Sequence, residues 1–165
     1  LVNNAGLLKS TTPLEEITEE EWDLIIGVNL KGMFLFSRAV LPIMRAKGYG
    51  KIVNVSSSAG RSTSELGGAH YTVSKTGVLG LTRHTAREYG AYGVNVNSVC
   101  PGLVETPMIR EEASQERLDH WVGQIPLGRF ADPSEEADLV LFLASDQAKY
   151  ITGATIDFNG GSLLM

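Results

Sequence analysis

The sequence has little of several features that would point to particular protein classes. It contains one cysteine, Cys100, which excludes a disulfide within the chain and fits a reducing compartment, so we expect a cytoplasmic protein. Its 14 lysines and arginines are scattered and its formal net charge is −5, which argues against binding to nucleic acid. No apolar run approaches the length of a membrane span, so we expect no membrane partner, and we expect no metal site.

The start of the chain also lacks a methionine. Leu1 and Val2 run directly into Asn3-Asn4-Ala5-Gly6. Two apolar residues in this position resemble the end of a strand that began earlier. We therefore expect the chain to be the later part of a longer protein.

The composition is that of an ordinary globular domain, with 43% hydrophobic and 20% charged residues over the range 1–165. Short β-branched segments at 51–57, 93–100 and 154–161 predict strands, and long segments with helical periodicity separate them. Strands that alternate with long helices predict an α/β fold with a doubly wound parallel sheet.

Three helices are indicated by their end signals. Thr18 and Glu21 have the spacing of a capping box, in which each side chain binds a free backbone N–H, so the first helix is expected to begin at Thr18 and to fade near Gly48. A second helix is predicted over 69–89, and a third is predicted to begin at Asp132. The apolar face predicted for the first helix consists of Trp22, Ile25, Ile26, Met33, Phe36, Val40 and Ile43.

Open parallel sheets bind ligands at the carboxyl ends of their strands. Four segments of this chain fall at such ends: 3–6, 56–60, 101–106 and 159–161. All four contain Gly, Ser, Asn or Pro, which suit a loop that bends around a ligand. The sequence therefore predicts a ligand crevice that these four segments share.

Tyr71 and Lys75 are four residues apart on the second predicted helix, so their side chains lie on one helix face. A nearby ammonium favours the phenolate and lowers the pKa of a tyrosine, which would tune Tyr71 for proton transfer near neutral pH. The pair alone is a weak signal, and by itself it would be interpreted as a solvated pair on a helix surface.

Two polar residues near these segments have two interpretations each. Ser57 follows a buried-type strand, where its hydroxyl either faces the crevice or caps its own turn; for Ser56 and Ser58 the turn is preferred. Asn29 lies on the apolar face of the first helix and needs a partner, because an unpaired buried amide costs about 1–3 kcal/mol. It either braces the sheet or holds a water or a lysine near the site.

Four stretches, taken together and in order, resemble the short-chain dehydrogenase/reductase family and cover essentially the whole chain. They are NNAG at 3–6, IVNVSSSAG at 52–60 with Tyr71-x-x-x-Lys75, NSVCPGLVETPM at 97–108 and ITGATIDFNGG at 151–161. The resemblance is to the C-terminal two-thirds of such proteins, with 3-oxoacyl thioester reductases or generic alcohol dehydrogenases fitting best. It implies a Rossmann-like fold that lacks the N-terminal βαβαβ half.

The resemblance also implies roles for individual residues. Tyr71 would be the general acid/base, Lys75 would lower the pKa of Tyr71 and hold the nicotinamide ribose, Ser57 would bind the substrate oxygen, and Asn29 would anchor a proton-relay water. The implied cofactor is NAD or NADP. Besides Tyr71 and Lys75, the residues expected to contact it are Asn4, Ala5, Gly6, Pro101, Gly102, Val104 and Thr106.

The choice among the three serines rests on two spacings that disagree by one residue. Counted forward from Asn29, the family's spacing selects Ser57, whereas counted back from Tyr71 it selects Ser58. A one-residue slip in a strand inverts every side chain, but a loop accepts an insertion cheaply. We therefore place the extra residue in the loop 61–70 and prefer Ser57, with Ser58 as the alternative.

The chain also departs from the family, because no glycine-rich phosphate-binding loop occurs anywhere in it. Two hypotheses follow. The first is an NAD(P)-dependent oxidoreductase that interconverts a secondary alcohol and a ketone, with residues 106–130 as a substrate lid and a homotetrameric assembly. The second is a truncated, non-catalytic piece that acts only in binding or oligomerisation.

Overall fold

A computed structural model describes residues 1–9, 11–107, 109 and 114–165. The strands are β1 (Val2–Asn3), β2 (Gly50–Val55), β3 (Val94–Pro101) and β4 (Thr155–Phe158), and they form one sheet in the order β1-β2-β3-β4. All neighbouring strands are parallel, with Val2 opposite Val53, Ile52 opposite Val96, and Val99 opposite Ile156.

The helices in this part of the chain are α1 (Glu19–Ile26), α2 (Gly32–Lys47), α3 (Ala69–Tyr89), α4 (Gln115–Gln124) and α5 (Pro133–Ala144). Short 3-10 turns cover Leu14–Glu16, Ser58–Gly60, Gly90–Tyr92 and Asp146–Ala148, and a π-helical segment at Gly27–Lys31 joins α1 to α2. The predicted start and end of α3 are confirmed.

Helices cover both faces of the sheet, as the doubly wound prediction requires. Successive residues of a strand point to opposite faces. Ile52 accordingly packs with Leu41 and Ala86 from α2 and α3, whereas its neighbour Val53 packs with Leu143 from α5. The parallel order and the two helix layers confirm the α/β class.

The first helical region differs from its prediction as a single helix. The π-helical segment, in which hydrogen bonds span five residues, shifts the positions that follow it around the helix axis. Phe36 and Ile43, predicted on the buried face, are therefore 63% and 57% exposed. The side chains that are buried recur every four residues: Ile25, Asn29, Met33, Ser37 and Leu41.

By length and hydropathy alone, the stretch Glu19–Lys47 also resembles a membrane span, with a mean hydropathy of 1.6 over its most apolar window. A core helix of a globular protein passes the same test. This stretch buries the polar side chains of Asn29 and Ser37, and α2 packs against β2 and α3. Only 28% of that window is buried among the described residues, so these contacts cover one part of the stretch.

The capping predictions are confirmed at α5 and only half confirmed at α1. At α5, Asp132 accepts from the Ser134 N–H, and the Glu135 carboxylate accepts from the Asp132 N–H, both at 2.8 Å. At α1, Thr18 Oγ1 accepts from the Glu21 N–H at 3.2 Å. The Glu21 carboxylate instead binds His70 Nε2 at 2.8 Å.

Candidate active site

A cavity of about 410 Å³ opens at the carboxyl ends of the strands, where the sequence predicts a ligand crevice. Its walls come from the loops after β1, β2 and β3, the start of α3, part of α4 and the start of α5. The predicted site residues that line it are Asn4, Gly6, Ser57, Tyr71, Lys75, Pro101, Gly102, Val104 and Thr106. Ala5 and Asn29 are not part of this lining.

Ser57 is placed differently from the serines on either side of it. It caps the 3-10 turn Ser58–Gly60, where its Oγ accepts from the Ala59 N–H at 3.1 Å. Its hydroxyl also acts on the Tyr71 phenol, whose pKa it lowers. The Ser56 hydroxyl is buried and donates to the Lys75 carbonyl at 2.7 Å. Ser58 lines the cavity as well. This effect on the Tyr71 phenol favours Ser57 as the candidate for binding a substrate oxygen.

Lys75 is a buried cation on α3, next to the carboxyl end of β2. It is 4% exposed, and its Nζ donates to the Val55 carbonyl at 3.1 Å. Burial lowers the pKa of Lys75 to about 8, and electrostatic interactions with Cys100 and Glu136 oppose this shift. An ammonium has three donor hydrogens, so Lys75 can also bind ligand hydroxyls.

The pKa of Tyr71 moves opposite to the direction predicted from its pairing with Lys75. Burial raises the pKa of the phenol above its ordinary value of 10, and the hydrogen bond with Ser57 acts against this. Lys75 Nζ lies 5.7 Å from the centre of the Tyr71 ring. At neutral pH the phenol is therefore protonated, which suits it to give a proton rather than to take one.

The Asn29 side chain braces the loop after β1. It is fully buried in the π-helical segment, where its Oδ1 accepts from the Leu7 N–H at 2.7 Å and its Nδ2 donates to the Leu7 carbonyl at 2.9 Å. Nδ2 also donates to Ser74 Oγ at 3.2 Å. These contacts match the bracing interpretation of the side chain. A π-helical turn within a helix often marks a functional site.

Two glycines of the predicted cofactor site, Gly6 and Gly102, allow close approach of neighbouring segments. A Cβ on Gly6 would lie 3.4 Å from both Lys75 Nζ and Asn29 Oδ1, so the glycine lets the backbone approach the lysine closely. A Cβ on Gly102 would lie 3.0 Å from the Cβ of Asn159, which keeps the loop after β3 close to the loop after β4. Close backbone approach beside a buried ammonium suits a ribose with its hydroxyls.

The lid predicted at 106–130 is only partly within the described residues, since 108 and 110–113 lie outside them. The ends of this segment are joined, because the Glu105 N–H donates to the Ala131 carbonyl at 2.8 Å and the Ala131 N–H donates to the Leu103 carbonyl at 3.1 Å. Trp121 on α4 faces the cavity and donates from Nε1 to Glu65 Oε2 at 2.9 Å.

Glu136 and His70, in or near the site, are not among the residues predicted from the sequence. Glu136 on α5 lines the cavity, and burial raises the pKa of its carboxyl while Lys75 opposes the shift. The signal for it was present, because Glu136 precedes Leu139, Val140 and Leu143 at spacings of three, four and seven, and so interrupts an apolar stripe. His70, which contacts the Tyr71 backbone, gave no signal along the sequence.

Comparison with known proteins identifies the family. A family model described as Enoyl-(Acyl carrier protein) reductase matches residues 1–162. An acetoacetyl-CoA reductase of Shinella zoogloeoides is 42% identical over 100% of this chain and 68% of its own length. The chain belongs to the short-chain dehydrogenase/reductase family. It is thus related to oxidoreductases, as the motif resemblance predicted.

Solved structures of short-chain dehydrogenase/reductases agree with this fold. A 3-oxoacyl-[acyl-carrier protein] reductase from Brucella melitensis is 36% identical, with a TM-score of 0.94 over 97% of this chain and 61% of its own. A second one from that organism, with bound NAD, is 35% identical, with a TM-score of 0.88 over 97% of this chain and 60% of its own. The chain spans between 60% and 68% of the length of these three relatives and matches their C-terminal portion.

Proposed function

We propose that the protein is an NAD(P)-dependent oxidoreductase that interconverts a ketone and a secondary alcohol, with Tyr71 as the general acid/base. The observation that carries the proposal is the convergence of Ser57, Tyr71 and Lys75 in one cavity, where Lys75 is buried and the Ser57 hydroxyl lowers the pKa of Tyr71. Ser57 comes from the loop after β2 and the other two from α3, and Lys75 is buried, which argues against a solvated helix pair.

A bound nicotinamide cofactor supplies the hydride in this chemistry. In the direction of reduction, Ser57 binds the substrate oxygen and Tyr71 donates its phenolic proton to that oxygen. The ammonium of Lys75 then stabilises the phenolate that remains. The raised pKa keeps the phenol protonated at neutral pH, as reduction requires, and makes release of the proton more costly, a cost that the ammonium of Lys75 offsets.

We propose that Asn29 anchors a relay water through the π-helical segment in which it lies. The residues proposed to hold the cofactor are Lys75, Asn4, Ala5, Gly6, Pro101, Gly102, Val104 and Thr106. The cavity also contacts apolar side chains that include Leu66, Trp121 and Ile125. These suit an acyl chain next to the reacting carbonyl. We therefore propose a 3-oxoacyl thioester as substrate, which is the kind of compound named in the relatives' descriptions.

We further propose that residues 106–130 act as a lid and that the protein is a cytoplasmic homotetramer. The apolar side chains of Phe34, Leu35 and Phe36 on α2 and Val73 on α3 are 39–63% exposed, which supports association through these helices.

The experiment that tests the function measures oxidation of NADH and of NADPH by the purified native protein with acetoacetyl-CoA. We expect turnover that depends on the thioester, with a preference for one of the two cofactors. Absence of turnover with both cofactors, from protein that is folded by circular dichroism, would contradict the proposal.

A further inference from the structure

A chain of hydrogen bonds reaches the Tyr71 backbone from the side away from the cavity. It begins at Glu21 in the first turn of α1, whose carboxylate turns away from its own helix end. One oxygen, Oε2, lies 3.5 Å from Lys9 Nζ, and the other, Oε1, lies 2.8 Å from His70 Nε2. The hydrogen bond with His70 and the charge of Lys9 both lower the pKa of Glu21, so this carboxylate is ionised at neutral pH.

His70 connects this carboxylate to the Tyr71 backbone. Its side chain is completely buried, and its Nδ1 accepts a hydrogen bond from the Tyr71 backbone N–H at 2.7 Å. Because Nδ1 must offer a lone pair to that N–H, the ring proton of the neutral imidazole is on Nε2, which donates to Glu21. Both ring nitrogens are therefore used, and the ring orientation is fixed.

The Tyr71 backbone is held on its other side as well. Its carbonyl accepts from Ser74 Oγ at 2.7 Å, and Ser74 Oγ in turn accepts from Asn29 Nδ2 at 3.2 Å. The Tyr71 N–H is also shared with the Gly68 carbonyl at 3.0 Å. Both main-chain polar groups of Tyr71 are thus bonded to side chains that link α3 to the α1–α2 region.

We propose that His70, held by Glu21, is a positioning residue that fixes the Tyr71 backbone and thereby the place of its phenol in the cavity. This inference rests on the proposed role of Tyr71 in proton transfer. Proton transfer demands close control of distance, because misplacing a reacting group by about 1 Å can cost about 100-fold in rate. His70 lies outside the cavity lining, so it acts through Tyr71 and not on the substrate.

The test compares His70→Asn with His70→Leu in the native protein. The Asn side-chain oxygen takes the place of Nδ1 and can accept from the Tyr71 N–H, whereas Leu cannot, and neither variant reaches Glu21. We expect His70→Leu to lower kcat by about 10-fold or more with little change in the KM for the cofactor. His70→Asn should recover most of kcat. Equal kcat values for the two folded variants would overturn the proposal, because a purely structural histidine predicts similar kcat for both.

If His70→Leu does not fold, a second pair of variants, at Glu21, tests the proposal. Glu21 is partly exposed, and Glu21→Gln keeps an oxygen that accepts from His70 Nε2, whereas Glu21→Leu removes it. We expect a lower kcat for Glu21→Leu than for Glu21→Gln, and equal values would again overturn the proposal.

Tyr71→Phe, measured in the same preparation, separates this inference from the proposed function. If Tyr71→Phe keeps full turnover, the proposed function fails and the positioning role fails with it. If Tyr71→Phe loses turnover but the two variants at position 70, and the two at position 21, have equal kcat values, only the positioning role fails.

Discussion

Lys75 carries a charge that the folded protein stabilises less well than water does. Burial lowers its pKa from 10.5 to about 8, so between these pH values the unfolded chain binds more protons than the folded one. The free energy of unfolding contributed by this group therefore rises as the pH increases from about 8 to about 10.5, and the penalty is complete below about pH 8.

Replacing Lys75 with Met removes that penalty. We expect Lys75→Met to raise the free energy of unfolding at pH 7 by about 1–3 kcal/mol and to flatten its rise at alkaline pH, while turnover is lost. Urea denaturation at several pH values measures this. Lys149→Met, at an exposed position, is the control and should leave the pH dependence unchanged. A destabilised Lys75→Met at pH 7 would contradict the burial argument.

The two candidate serines differ in their contact with Tyr71. Ser57→Ala removes a hydrogen bond that lowers the pKa of Tyr71 and, in the proposed function, the donor to the substrate oxygen. We expect kcat to fall by roughly 100-fold and the pH limb assigned to Tyr71 to move to higher pH. Ser58→Ala is the matched control, with kcat near the native value. The opposite ranking of the two variants would assign the role to Ser58.

The turn after β2 and helix α3 pack closely near the site, because Gly60 has no Cβ between them. A Cβ at Gly60 would lie 2.7 Å from Ser56 Oγ and 2.8 Å from the Lys75 carbonyl oxygen, and a main-chain carbonyl cannot move aside cheaply. Gly60→Ala should therefore lower the free energy of unfolding by about 1–3 kcal/mol and reduce kcat by displacing α3.

Gly123 in α4 provides the matched control for Gly60. A Cβ there meets nothing within 4 Å, so Gly123→Ala should raise the free energy of unfolding by about 0.5–1 kcal/mol. Thermal and urea denaturation of the two alanine variants measure the difference. A Gly60→Ala protein as stable as the native one would show that the turn after β2 is less tightly packed than described.

Local sequence patterns predict some of the secondary-structure elements and not others. The strands and α3 could be predicted because β-branched runs, a helical period and a terminal glycine are local signals. The π-helical segment at Gly27–Lys31 could not, because it is set by the fit of Asn29 against the Leu7 backbone, far away in sequence. The contact between Glu21 and His70 could not be predicted for the same reason. It binds a carboxylate that the local pattern had assigned to a helix cap.

The features of the site could likewise be predicted where local contacts define them, and could not where distant contacts do. The pairing of Tyr71 with Lys75 came from helix geometry, and the choice of Ser57 from strand register. The direction of the Tyr71 pKa shift was wrong, because burial depends on the walls of the cavity, which no local pattern specifies. Glu136 was predictable in principle, as a charge on the apolar stripe of α5.

At the scale of the whole molecule, the exposed apolar side chains on α2 and α3 predict self-association. Light scattering coupled to size-exclusion chromatography should give the native protein the mass of a tetramer. Phe36 is 63% exposed on α2, so Phe36→Glu should give smaller species, because a buried unpaired carboxylate disfavours the interface. Leu14→Glu, at a residue that is 68% exposed and lies outside α2 and α3, should keep the native mass. A monomeric native protein would contradict the assembly.

The central claim is that the Tyr71 phenol transfers the proton when the ketone is reduced. The measurement that tests it most directly is kcat for thioester reduction by Tyr71→Phe, with Tyr150→Phe, at a fully exposed position, as the control. We expect a loss of roughly 100-fold or more in kcat for Tyr71→Phe, with little change in its free energy of unfolding, and native kcat for Tyr150→Phe. Nearly full turnover by folded Tyr71→Phe would contradict it.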